Sequence, residues 1–298
     1  MQRAIGVTIT DKVAAGLVEG NHLVGVIHGY PDIGCSADDL LSMPAEKIAG
    51  CIRDRVVETA HGEAVQAVGV GFPGMIRNGV LEECPNLQQV KGTNMRDLLA
   101  GLLEEAGLRV PVSVFNDADV MAAGLAATRG HLDRTVRVWT LGSGIGYGQY
   151  PWSDGAWEGG HMVVSLDAKE RYCGCGGQGH LEGIMGHRAM RLRFMDMEPE
   201  EIFEAARSGD ARCFEFVTRW HRALAAATAS MIHLGGPGKF YVTGPNSKHV
   251  DVPLLNQFLH DMVKMSALQG YVFEVVVGGD ELGVIGAAVN AERSIAAG

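Results

Sequence analysis

One order of local sequence signals occurs twice in this chain, and a duplicated order restricts it to a fold of two related α/β lobes. In the first half, three short β-prone runs at Ala4–Ile9, Val13–Val18 and Leu23–Ile27 precede a helix over Ala45–His61, where Ile48, Ile52 and Val56 return at a spacing of four. A strand at Val65–Gly71, a helix at Met95–Ala106, a strand at Val110–Phe115 and a helix at Ala118–Arg129 follow. Asn94 with Asp97 three residues on reads as a capping box that starts the helix at Met95.

The second half repeats three strands, helix, strand, helix, strand, helix. Its strands fall near Val136–Leu141, Gly146–Tyr150 and His161–Leu166. After an inserted glycine-rich loop come a long helix near Cys213–Leu234, a strand at Lys239–Thr243, a helix at Val252–Met265, a strand at Val272–Val277 and a last helix from Gly283. On this reading residues 1–116 form one lobe, completed by a C-terminal helix over 284–298, and residues 117–283 form the other, with loop 158–182 inserted; the lobes face a cleft. At 298 residues with 47% hydrophobic and 20% charged, the chain is long enough to bury a sizeable core in two lobes.

Composition narrows the function. No apolar run nears the ~18 residues that span a bilayer, and the first residues show no basic stretch followed by an apolar one and a cleavage site, so a cytoplasmic protein without a membrane partner is expected. A net charge of −10 and a pI near 5.5 argue against a nucleic-acid surface and suit a small neutral ligand, or an anion held by backbone amides and a metal ion. Of six cysteines, Cys35, Cys51, Cys84 and Cys213 are scattered singly, which reads as reduced thiols in a reducing compartment.

The chemistry concentrates between Glu158 and Glu182. The run Cys173-Gly-Cys175-Gly-Gly-Gln-Gly-His180-Leu-Glu182 follows Glu158-Gly-Gly-His161, and it holds too much glycine for a helix or a central strand. Two thiolates and two imidazoles would fill a tetrahedral Zn²⁺ shell with no place left for water, which describes a structural metal. The competing reading is a pair of reduced cysteines without a task, because Cys-x-Cys is shorter than the usual finger spacing. Glu158 and Glu182 flank the shell without completing it and are free to bind a polyhydroxylated ligand, since a carboxylate offers about four acceptor sites; ordinary surface carboxylates are the alternative.

Two further motifs sit at strand ends. Asn116-Asp117 falls where a strand hands over to a helix, a place where α/β proteins set chemistry; either residue would equally serve as the helix cap. Leu141-Gly-Ser-Gly-Ile-Gly-Tyr-Gly148 carries glycine at alternate positions, which exposes backbone amides to a phosphate or simply makes a hairpin.

In this order the motifs resemble the ROK family, a group of repressors, open reading frames and sugar kinases with the two-lobed actin-like ATPase (ribonuclease H-like) fold, and the resemblance covers nearly the whole chain. Gly71-Phe-Pro-Gly74, Asn78-Gly79 and Pro85-Asn86-Leu87 are similar to its sugar-side loops. Asn116-Asp117-Ala118 resembles its catalytic pair, and Leu141-Gly-Ser-Gly-Ile-Gly its second phosphate loop. Glu158-x-x-His161 with Cys173-x-Cys175-x₄-His180-x-Glu182 resembles its most specific signature, while Val242-Thr-Gly-Pro-Asn and Leu282-Gly-Val-Ile-Gly-Ala-Ala are similar to its adenosine-side segments.

The resemblance implies that Asp117 takes a proton from a sugar hydroxyl as it attacks the γ-phosphate of Mg²⁺-ATP. It implies further that Gly74, Asn86, Asn116, Asp117, Glu158, His161 and Glu182 meet the sugar, that Asp11, Lys12, Gly142, Ser143, Gly144 and Gly244 meet the nucleotide, that His161, Cys173, Cys175 and His180 hold the zinc, and that the protein is a homodimer. Three departures stand out. His180 replaces the family's third cysteine. The first phosphate loop, Asp-x-Gly-Gly-Thr-Lys in the family, reads Val7-Thr-Ile-Thr-Asp11-Lys12 here, one residue shorter and without glycine, so that Asp11 is the remaining carboxylate. Pro245 removes an amide donor from the adenosine-side loop. A sugar kinase is therefore the leading expectation and a non-catalytic sugar-binding sensor descended from one the alternative. A repressor is disfavoured, because the first strand begins by about residue 3 and leaves no room for a helix-turn-helix segment.

Overall fold

Small and β-branched residues between Arg3 and Asn116 build the first sheet, and a helix from the C-terminal end of the chain packs on it. The computed structural model describes residues 3–10, 12–30, 40, 42–84, 87–152 and 158–297. By packing, the chain divides into two units: Met1–Val136 with Gly148–Trp157 and Gly278–Gly298, and Arg137–Tyr147 with Glu158–Val277. This differs from a boundary at residue 116, because the helix that follows Asn116 packs on the last helix of the chain.

In the first unit, β1 (Arg3–Ile9), β2 (Val13–Glu19), β3 (His22–Tyr30), β4 (Ala67–Phe72) and β7 (Val112–Asn116) form a sheet in the order β3-β2-β1-β4-β7. The hairpins β1-β2 and β2-β3 are antiparallel, whereas β1, β4 and β7 run parallel to one another. β4 is buried along its whole length, so it reads as a continuous apolar run. One face is covered by α1 (Ala45–Ala60), whose Ile48, Ile52 and Val56 are fully buried, together with α2 (Met95–Glu105). The α2 start follows its sequence signal, with Asn94 Oδ1 accepting from Asp97 N at 3.2 Å.

The other face is covered by α9 (Asp280–Ala297) at van der Waals contact with the sheet. A Cβ on Gly6 would lie 1.8 Å from Val284 O and one on Gly69 1.9 Å from Ala287 O, which is why both positions are glycine. The same closeness joins α9 to α3 (Asp117–Thr128), where a Cβ on Gly286 would lie 1.7 Å from Val120 O.

The second unit is built on β8 (Val136–Leu141), β9 (Ile145–Tyr150), β10 (Lys239–Thr243) and β11 (Val272–Val275), in the order β11-β10-β8-β9. Against it pack α7 (Ala211–Gly235) and α8 (Val252–Met262), around fully buried Trp139, Trp220, Leu224, Phe240 and Leu255. Trp139 satisfies its buried N–H on Thr228 Oγ1 at 3.1 Å. α7 starts on Asp210, which accepts from Cys213 N at 2.8 Å, and ends on a buried guanidinium: Arg137 donates to Gly235 O at 2.5 Å and Gly236 O at 3.0 Å. A cation at that end also complements the helix dipole.

Two sequence expectations change. His161–Leu166 forms no strand; a 3₁₀ turn covers Gly159–His161, and a single bridge joins Val163 to His180. The backbone groups of this segment bond within the cysteine and histidine loop, Val164 N to Gly179 O and Leu181 N to Met162 O, so no strand edge supplies partners. The hairpin of β5 (Met75–Arg77) and β6 (Val80–Glu83), and the helices α4 (Glu182–Met185), α5 (His187–Arg193) and α6 (Pro199–Arg207), went unread because they are short and interrupted by glycine and charge.

Candidate functional site

The C-terminal end of β7 carries the first cluster. Asn116 is extended at φ −67 and ψ 143 and caps α3, its Oδ1 accepting from Ala118 N at 2.8 Å and Asp119 N at 3.4 Å. Its Nδ2 donates to Gly74 O at 2.8 Å, on the loop leaving the adjacent strand β4. Gly74 has φ +105, and a Cβ there would lie 2.1 Å from Glu83 O. The cap therefore belongs to Asn116, and Asp117 stands half-buried in the first helical turn, its Oδ1 accepting from Ala118 N at 2.9 Å.

Behind it lies a residue the sequence reading missed. Asp119 is 4% exposed, and its Oδ1 accepts from Gln149 N at 2.9 Å, tying the start of α3 to β9. Burial pushes its carboxyl up to about 7, against the hydrogen bond from Gln149 and with help from the Asp117 charge. An acidic residue in a first turn looks like any dipole-favouring carboxylate, so nothing local marked it.

The second cluster is a candidate metal centre. One ligand atom from each of His161, Cys173, Cys175 and His180 lies within 4.8 Å of every other. The close pairs are His161 Nδ1 to His180 Nδ1 at 3.3 Å, Cys173 Sγ to His161 Nδ1 at 3.4 Å, Cys173 Sγ to Cys175 Sγ at 3.3 Å and Cys175 Sγ to His180 Nδ1 at 3.2 Å. Tetrahedral edges around Zn²⁺ with ordinary Zn–N and Zn–S bonds run from roughly 3.3 to 3.8 Å, so the donor set and its size fit that ion. Burial pushes the Cys173 thiol up to about 12, with Cys175 and Glu182 adding to the rise, and a bound cation would supply the charge that makes it a thiolate ligand. Burial and His161 hold His180 below its usual range, in the neutral form a metal takes.

A second brace holds this loop. Glu170 is 5% exposed and paired with Arg193 and Arg219, while Arg193 donates to Gly183 O at 2.8 Å and lies over the Tyr172 ring. Burial alone would raise the Glu170 carboxyl, but the two guanidinium groups outweigh it and hold it below the usual range. No local signal marked this brace, since the partners are 23 residues or more apart and look like surface charges.

Glu182 is less free than its sequence position implied. Its Oε2 accepts from Ile145 N at 3.1 Å, and Cys173 Sγ lies 3.7 Å from Oε1, so the carboxylate links the metal loop to the glycine turn of β9. Glu158 lies 3.9 Å from His161 Nε2. Gly142, Ser143 and Gly144 form a tight turn, with Gly142 N donating to Gly144 O at 3.0 Å and Ser143 exposed at the tip. Gly244, at φ +93, packs against Leu141, and Pro245 packs against Gly142.

Where the family pattern has its first phosphate loop, β1 and β2 pair up to Ile9 and Val13, so only Thr10, Asp11 and Lys12 join them, and Lys12 Nζ lies 2.6 Å from Asp280 Oδ2. Asp11 and Asn86 fall outside the described residues.

The description "ROK family" belongs to the family model that matches residues 37–294. A glucokinase of Pyrobaculum calidifontis is 30% identical over 254 residues, covering 80% of this chain and 83% of the relative. A ROK family glucokinase structure from Streptomyces griseus, in complex with glucose and AMPPNP, superposes with a TM-score of 0.67 at 25% identity over 98% of this chain and 99% of that one. A ROK hexokinase from Thermus thermophilus reaches a TM-score of 0.77 at 23% identity with full coverage of both chains, which shows the actin-like α/β fold.

Proposed function

Because the chain belongs to the ROK family, we propose that it is a sugar kinase, transferring the γ-phosphoryl group of Mg²⁺-ATP to a hydroxyl of a hexose or amino sugar. The observation that carries the assignment within the site is the geometry at the end of β7: Asn116 caps α3 and bonds to Gly74 O, and beside it Asp117 stands half-buried in the first turn, where it would act as the general base. The base takes the hydroxyl proton as the sugar oxygen attacks phosphorus. Glu158, His161 and Glu182 suit the remaining hydroxyls, with Gly74, Asn86 and Asn116 shaping the sugar side. The amides of Gly142, Ser143 and Gly144, with Gly244, suit the phosphates and nucleotide.

His161, Cys173, Cys175 and His180 would hold a structural Zn²⁺, which supplies a crosslink that orients Glu182. Mg²⁺ arrives with ATP and needs few protein carboxylates, and Asp11 is the residue of this chain suited to it. A cytoplasmic setting accords with the free thiols among the described cysteines, and no helix among the described residues is long and apolar enough to cross a membrane. The family resemblance supports a homodimer, which light scattering on the purified protein tests.

D117N separates the roles. In a coupled ADP-release assay, turnover should fall by about a thousandfold while sugar affinity should stay within about threefold, since the amide keeps the shape and loses the base. Near-normal turnover in this variant would remove Asp117 from catalysis. The short β1–β2 hairpin and the Lys12–Asp280 pair favour one second reading, a sugar sensor that has lost the reaction. Sugar binding without a calorimetric response to millimolar Mg²⁺-ATP is the outcome that selects it.

A further inference from the structure

Two glycine turns of the second unit are joined by a side-chain bond that the proposed reaction does not use. His187, the first residue of α5, places Nε2 2.9 Å from Asn246 Oδ1, and its backbone N–H points at Gly142 O at 3.4 Å. One residue thus reaches both the turn at Gly142–Gly144 and the turn that begins at Gly244. Pro245 fills the space between the turns, since a Cβ on Gly142 would lie 3.3 Å from Pro245 Cγ. Gly186, which caps α5, backs the same turn; a Cβ there would lie 3.0 Å from Ser143 O.

Asn246 is fully buried, and its Nδ2 has no hydrogen-bond partner among the described residues. The orientation of its amide is therefore set on the other side, where Asn246 Oδ1 accepts from His187 Nε2. Proline at 245 contributes no backbone N–H, so this loop is short of one donor that would otherwise help to shape it.

We propose that His187 and Asn246 are positioning residues of the nucleotide subsite, their bond holding the Gly142–Gly144 turn and the Gly244–Asn246 turn in the register that a bound nucleotide requires. Loss of a buried hydrogen bond lets the two turns drift, and small displacements of positioning groups lower affinity and rate. The inference rests on the reading of these turns as the nucleotide side of a kinase.

Calorimetry with Mg²⁺-AMPPNP and, separately, with glucose tests it on the full chain. H187L is expected to weaken AMPPNP binding by about tenfold while glucose affinity stays within about twofold, and H187Q, which can donate from its own Nε2, recovers most of the loss. If H187L is recovered unfolded, N246A carries the same expectation. Unchanged AMPPNP affinity, a parallel loss of both ligands, or no recovery in H187Q would overturn the inference alone. Wild-type protein that binds no AMPPNP would overturn the kinase reading with it.

Discussion

At the scale of single residues, buried charge decides what can be measured. Asp119 has an unfolded value of 3.8 and a folded value of about 7, so between these the native state keeps a proton that the unfolded chain releases. Stability contributed by the protonated form is present below the unfolded value and is lost as pH rises through the folded one. D119N keeps an acceptor for Gln149 N and removes the ionisation, so its stability advantage over wild type should grow by a few kcal/mol between pH 4 and pH 8 in urea titrations; a constant difference would show that Asp119 is ionised throughout. Glu170 behaves oppositely, because its two arginines are left without a counter-charge when it is neutralised. E170Q should destabilise the second unit by about 3 kcal/mol, and a loss under ~0.5 kcal/mol would mean that the brace is ornamental. Neither residue was legible in the sequence, where a buried carboxylate and a solvated one are the same letter and the partner is remote.

At the scale of elements, much more could be read, for a reason that also yields a test. Apolar periodicity is set by which face of a helix or strand is buried, so α1, α2, β8 and β10 lie close to where their patterns put them. His161–Leu166 failed because only Met162 and Val164 of its apolar residues pack against the core, while Val163 is 59% and Leu166 90% exposed, and four potential metal ligands converge in this loop. The glycines of the helices were equally ambiguous until packing separated them. G286A should cost about 1–3 kcal/mol or more, its Cβ colliding with the α3 backbone, whereas G101A, exposed on α2 with open space around it, should stabilise by about 0.5–1 kcal/mol. Equal thermal shifts in the two variants would contradict the close crossing of α3 and α9. For the metal loop, about one zinc per chain is expected by elemental analysis, and C175A should release it and weaken sugar binding together, since the same loop carries His161 and Glu182. Retained sugar affinity after metal loss would assign the loop's rigidity to the Glu170 brace instead.

At the scale of the whole molecule, the resemblance carried by short motifs and the family match over residues 37–294 agree, because the residues that define the motifs sit at strand ends and tight turns where few side chains are compatible. The candidate site was legible as ligand types and glycine turns; the bonds among them, such as Glu182 to Ile145 and His187 to Asn246, were not, since they join segments far apart in sequence. What the assembled parts do is settled by following phosphorus directly. Wild-type protein and D117N are incubated with Mg²⁺-ATP and a panel of hexoses and N-acetylhexosamines, and the products are observed by ³¹P NMR. A sugar phosphate monoester growing in step with ADP for at least one sugar in wild type, and absent with D117N over the same time, is the predicted result; sugar-independent ADP release, or no phosphate ester with any sugar that binds, would contradict the account.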